Sequence, residues 1–202
     1  VNVILQCEEG YYIADDEELD AYVNGEKAYV SAQDGDRTTL TVGYSVPVAS
    51  GVRGQAVSFL DGSDVTVSLF ADGSAQPKYT VTVPAGEKSG GKYTAVYDIP
   101  SVAAGTYTVQ VSKKNHVTRE YTVTVGGDVK TLNVEIRLLG DVNGDGRVNA
   151  MDCTRLFKHV NKTQQLTDPY ALKCAETNGD GRVNAMDCTR LFKHVNKTQL
   201  LW

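Results

Sequence analysis

The chain has 202 residues, 41% of them apolar and 22% charged, and a formal net charge of −5 at pH 7. That length allows two or three small domains, and the acidic balance argues against nucleic acid, whose binders carry a basic footprint. No apolar run approaches the ~20 residues of a membrane-spanning helix. The sequence opens at Val1 in strand-like residues, with no Met and no signal peptide, and reads as a fragment or processed form of a larger exported protein.

Residues 1–48 are expected to form a small β-meander. Val1–Gln6 is a strand; Leu19–Val23 and Lys27–Ala32 flank Asn24-Gly25, a strong hairpin signal; Thr38–Tyr44 follows Asp34-Gly35. The pattern resembles the tail of a bacterial Ig-like module. Between strands one and two, Glu8, Glu9, Asp15 to Glu18 and Asp20 make an acidic run without metal-loop spacing, read as a solvated loop.

Residues 49–139 offer seven strands: Gln55–Leu60, Val65–Phe70, Lys78–Val83, Tyr93–Ile99, Gly105–Val111, Val117–Val125 and Leu132–Leu138. Tyr107, Val109 and Val111 alternate with Thr106, Thr108 and Gln110, the period of a half-buried strand. Short alternating strands with turn signals between them predict a two-sheet sandwich of Ig-like or transthyretin-like type. The stretch AAGTYTVQVSKKNHVTREYTVTV resembles carboxypeptidase-regulatory-like sandwiches and the so-called X modules. Tyr79, Tyr93, Tyr97, Tyr107 and Tyr121 suggest an alternative, a sugar-stacking platform. Their phase with Val favours ordinary strand packing.

Leu132–Leu138 runs through Leu139-Gly140 directly into Asp141, with no Pro- or Ser-rich linker, so the next module is expected to pack against the sandwich. From there the sequence repeats. Asn143 to Gln164 reads NGDGRVNAMDCTRLFKHVNKTQ and recurs unchanged 35 positions on, from Asn178 to Gln199. Each copy opens with EF-hand loop spacing: side-chain oxygens from Asp141, Asn143, Asp145 and Asp152, a carbonyl from Arg147, a slot at Asn149 often filled through water, and Gly146 at the sharp turn. The second loop uses Glu176, Asn178, Asp180, Arg182, Asn184 and Asp187. Calcium wants six to eight hard oxygens, and alternate residues of a coiling chain supply them. Two ions are therefore expected. Asp152 and Asp187 stand where Glu is usual, and Glu176 is a methylene longer than Asp141.

A helix should follow each loop from Ala150 and Ala185, with Met151, Leu156, Val160 and Met186, Leu191, Val195 at near-helical spacing. Asp168-Pro169 reads as an N-cap and first position of a short helix through Tyr170, Leu172 and Cys174. No helix precedes either loop, so the paired-helix switch of an EF-hand sensor is missing. Cys153, Cys188 and Cys174 are read as buried free thiols, with a bridge from Cys174 to either repeat cysteine as the alternative. His116, His159 and His194 are too dispersed for a zinc site.

Tandem loop-helix units with DVNGDGRVN and Asp at the twelfth loop residue resemble the dockerin family, over Gly140 to about Leu201. The resemblance implies a small all-α, calcium-folded domain, residues 140–202, that binds a cohesin module of a scaffoldin or cell-surface protein. It implies contacts through Ala150, Met151, Phe157, Lys158 and Lys162, and through Ala185, Met186, Phe192, Lys193 and Lys197. Ala-Met stands where some dockerins carry Ser-Thr, suggesting an apolar contact with a basic rim. The expectation is a non-catalytic docking unit on a bacterial, extracellular or cell-surface protein, reaching polysaccharide through its parent. The alternative is a carbohydrate-binding sandwich merely anchored by the dockerin. No Gly-x-Ser-x-Gly elbow, phosphate loop, HExxH or acid pair marks an enzyme, and any catalysis is expected upstream of Val1.

Overall fold

The computed structural model describes residues 2–6, 21–23, 26–33, 39–43 and 50–202. The chain divides into two compact units, Val1–Val48 and Ala49–Trp202.

In the first unit β1 (Asn2–Gln6), β2 (Ala21–Val23), β3 (Glu26–Gln33) and β4 (Thr39–Gly43) form one antiparallel sheet in the order β1-β4-β3-β2. Val23 pairs with Glu26, the register of a two-residue hairpin. The acidic run, the Asn24-Gly25 turn itself and Cys7 lie outside the described residues.

In the second unit, two sheets face each other. One holds β11 (Arg119–Val125), β10 (Gly105–Lys113), β6 (Val65–Ala71) and β7 (Tyr79–Val83), in that order. The other runs β12 (Val129–Thr131), β5 (Gly51–Ser58), β9 (Lys92–Pro100), β8 (Glu87–Ser89), with β13 (Val134–Glu135) also on β5. Period-two alternation puts Val65, Val67, Leu69, Val109, Val111, Ala95, Tyr97 and Ile99 into one apolar core between them. On the outer face Thr66 bonds Thr82, Ser68 bonds Thr80 and Thr106 bonds Thr124, so exposed positions satisfy one another across strands.

The expected strand Leu132–Leu138 shrinks to β13 and an isolated bridge from Leu138 to His116, and β12 ends just before it. Gly54 of β5 lies against the Leu132 carbonyl, and the Asn133 side chain takes the Gln55 N–H in place of a backbone acceptor. Pairing parallel to β5 resumes only at Val134. β8 has no apolar alternation to reveal it. Gly90 and Gly91, at φ 59° and 83°, turn it onto β9.

Three helices complete the unit: α1 (Ala150–Val160), α2 (Pro169–Ala175) and α3 (Ala185–Val195). Asn149 and Asn184 cap α1 and α3, and Asp152 and Asp187 close reciprocal capping boxes. Asp168 caps α2, with Pro169 in its first turn. Leu156 and Leu191 are fully buried with Val142, Leu166 and Ala175, forming a second, smaller core. The core-facing stripe is Cys153, Leu156 and Val160 on α1 and Cys188 and Leu191 on α3; Met151 and Met186 point outward instead.

Candidate calcium loops and docking face

Each loop is ordered by its own carboxylates. Asp141 Oδ1 accepts from the Gly144 and Asp145 amides (2.7 and 3.1 Å), and its Oδ2 from Gly146 (2.9 Å). Asp152 Oδ1 takes the Val142 and Asn143 amides, and its Oδ2 that of Asn149. Asp145 accepts from the Arg147 amide and from Asn143 Nδ2. The second copy repeats this with Glu176 accepting from Gly179 and Asp180, and Asp187 from Thr177, Asn178 and Asn184. Gly146 donates to Asp141, but Glu176 shows no matching bond from Gly181.

Asn149 and Asn184 spend their side-chain oxygens on the Met151 and Met186 amides, as helix caps. With carboxylate oxygens turned to backbone amides, no three Asp, Glu, His or Cys side chains form a ready cage among the described residues. The donor chemistry nevertheless fits calcium. Asp141 and Asp152 are fully buried without a cationic partner. Burial, with the charges of Asp152 and Asp145 adding to it, pushes Asp141 up to about 6. Burial likewise raises Asp152, with Asp145 contributing. A hard divalent cation offsets that repulsion.

The expected contact residues are displayed on α1 and α3. Met151 and Phe157 are 65% and 61% exposed; Met186 and Phe192 are 65% and 62%. Ala150, Lys158, Lys162, Ala185, Lys193 and Lys197 are exposed as well. Between the helices runs a groove of about 420 Å³ lined by Cys153, Thr154 and Phe157 from one and Cys188, Thr189 and Phe192 from the other. The same residues meeting their own equivalents is the mark of a two-fold relation. Arg155 and Arg190 join the lysines at the rim. These arginines were not among the residues expected there, although their four-residue spacing from Met151 and Met186 is a signal for that face.

Among the described residues Cys153, Cys174 and Cys188 are free thiols, Cys174 buried and the other two half-buried. His159 and His194 each accept, at Nδ1, the amide of the residue seven positions on, Leu166 and Leu201. They tie down the chain after each helix.

The second unit's sandwich meets the helical part without a linker. Tyr170 of α2 donates its hydroxyl to the Val117 carbonyl (2.6 Å) and accepts the Arg137 amide (3.0 Å). The Arg119 and Arg137 guanidinium groups lie 4.5 and 5.5 Å from the centre of its ring, and Arg137 Nη1 bonds Asp168 at 3.1 Å. Gly140 donates to the Cys174 carbonyl. Phe59 and Arg137 rest on the first loop, so that a Cβ on Gly146 or Gly144 would run into them; Gly179 and Gly181 have open space. Sequence reading missed Phe59, Arg137 and Tyr170 as junction residues, since the two glycine pairs are identical in sequence.

Four of the five tyrosines are tied into the sandwich through their hydroxyls. Tyr97 and Tyr107 are buried, and Tyr79, Tyr97, Tyr107 and Tyr121 all spend their hydroxyls on backbone groups.

Residues 139–196 match the dockerin type I domain. No curated protein matches the chain. Among solved structures it is similar to a type II cohesin–X-dockerin complex from Acetivibrio cellulolyticus carrying a C-terminal interface mutation, at 21% identity over 72% of this chain and 94% of that one, with a TM-score of 0.31. An N-terminal interface mutant of the same kind of complex is similar at 23% identity over 72% and 92%, with a TM-score of 0.27. No helix among the described residues is long and apolar enough to cross a membrane.

Proposed function

We propose that residues 140–202 are a dockerin that binds two calcium ions and a cohesin, and that the X-type sandwich of residues 49–139 carries it. The unit's task is to attach its parent protein to an extracellular bacterial polysaccharide-degrading assembly. One observation carries the reading. Two identical helices, each opened by an oxygen-rich loop, hold a Met and a Phe more than 60% exposed beside a basic rim. Large apolar side chains held out on ordered helices stabilise nothing in the free chain and mark a protein interface.

Calcium in this reading is structural. Asp141, Asn143, Asp145, Asp152 and the Arg147 carbonyl would hold one ion, with Asn149 reaching it through water. Glu176, Asn178, Asp180, Asp187 and the Arg182 carbonyl, with Asn184, would hold the other. The ions supply the positive charge that lets buried carboxylates sit together at the start of each helix.

The test is a titration of the full chain against a panel of cohesins, in calcium and in excess chelator. At least one cohesin should bind in calcium. Chelation should abolish that binding together with the helical circular dichroism of α1 and α3. Helical signal and binding unchanged by the chelator would overturn the reading, as would failure of every cohesin.

A further inference from the structure

We infer that the sandwich makes the two calcium loops inequivalent: Phe59 and Arg137 wall the first loop shut, so its ion leaves slowly while the second exchanges freely. The inference rests on the calcium reading above. From Asn143 to Asp152 and from Asn178 to Asp187 the loops are identical. Any difference must therefore come from the two residues that open each loop, Asp141-Val142 against Glu176-Thr177, or from what packs on the loop.

Three observations point the same way. The Phe59 ring lies so close to Gly146 that a Cβ there would overlap it, and the Arg137 guanidinium lies 2.8 Å from a Cβ on Gly144. Gly179 and Gly181 have nothing within 4 Å and are exposed. Asp141 is fully buried and gains the extra Gly146 bond, whereas Glu176 is half-buried and does not.

An ion leaves such a loop only when the loop opens. Opening the first loop means lifting its glycine turn away from Phe59, itself buried and anchored through its amide on His116 Nε2 (3.0 Å). Arg137 is fixed by Asp168. The second loop opens straight into water. Even part of the burial of one aromatic ring, added to the opening barrier, slows release on the order of tenfold. Phe59 is thus a positioning residue: it touches the loop and not the ion.

The calcium-loaded full chain is mixed rapidly with a fluorescent chelator. Release should show two phases of equal amplitude, and Asp180→Ala should remove the fast one. Phe59→Leu, which keeps the core filled but clears the ring from Gly146, should speed the slow phase severalfold and leave the fast phase unmoved. A merely structural role for Phe59 would not select between the ions. Glu176→Asp should leave two phases. Two ions leaving at one rate would overturn the inference, and so would a slow phase indifferent to Phe59→Leu. Phases that merge in Glu176→Asp would do the same, by assigning the difference to the first ligand. A chain that releases no calcium fails at the functional reading itself, and this inference falls with it.

Discussion

At Gly146 and Gly181 the backbone turns through the same left-handed conformation, φ 82° and 78°, yet the two positions differ in what a side chain would meet. Alanine at either place strains the turn by ~1–2 kcal/mol. At Gly146 it must also displace the Phe59 ring. Gly146→Ala should therefore lower the melting temperature in calcium clearly more than Gly181→Ala. Equal losses would mean that Phe59 yields at no cost. His116 gives a pH prediction. Its Nε2 accepts the Phe59 amide while Nδ1–H donates to the Lys114 carbonyl at 2.7 Å, a pattern only the neutral ring can make. Burial first, and then the Lys113 charge, holds its pKa below the usual histidine range. The unfolded chain then binds the proton more readily than the folded one. The stability this contributes is complete above the unfolded value of about 6.5 and is lost as pH falls toward the lower folded value. Denaturant titrations from pH 7.5 to 5 should show that loss, and His116→Gln, which still offers an acceptor, should flatten it. An unchanged slope would show that His116 does not govern it.

Among the elements, those with a period were legible and those set by a neighbour were not. Thr106 to Val111 alternates strictly and became β10; the end of the loop pattern and the apolar spacing from Met151 set the start of α1 at Ala150. Leu132–Leu138 alternates too, but Gly54 and Asn133 of the pairing interrupt it, and nothing in that segment's own residues says so. β8 is wholly polar, and only Gly90-Gly91 signalled its turn. The loops were legible because their Asp, Asn and Gly residues recur at fixed spacing in both copies. Their environment was not, because Phe59 and Arg137 reach them from far along the chain. Helix α2 shows the same limit. Asp168-Pro169 placed its start, whereas its role comes from Tyr170, whose hydroxyl completes the hydrogen bonding of Val117 and Arg137 in the sandwich. Tyr170→Phe leaves that carbonyl and amide unpaired and should cost about 1–3 kcal/mol, read as a lower denaturant midpoint for the two-module chain. The same change in an isolated 140–202 fragment should cost little. If both lose equally, Tyr170 serves the helical core alone and the modules are not coupled through it.

For the second unit as a whole, the question is whether the sandwich spoils the symmetry that the duplication creates. It grips the helical part through the first loop and α2 and could have covered one contact face. It covers neither: Met151 and Met186 are equally exposed at 65%, and Phe157 and Phe192 at 61% and 62%. The central groove takes the same three residues from each helix. If the two helices are related by a half-turn about that groove, the rotation brings Met186, Phe192 and Lys193 onto the places of Met151, Phe157 and Lys158. A cohesin that reads one helix should then accept the other with little difference in free energy. Replacing Met151 and Phe157 by Asp should leave affinity within roughly twofold, the loss of one of two equivalent modes. Replacing Met186 and Phe192 should do the same. Only the quadruple variant should abolish binding, because a carboxylate buried without a partner costs several kcal/mol in whichever mode remains. The measurement is calorimetric titration with one cohesin, with circular dichroism confirming that each variant keeps its helices. If either double variant alone eliminates binding while folded, the cohesin reads one helix only. The repeat would then serve the fold, and the equal exposure of the second face would need another partner.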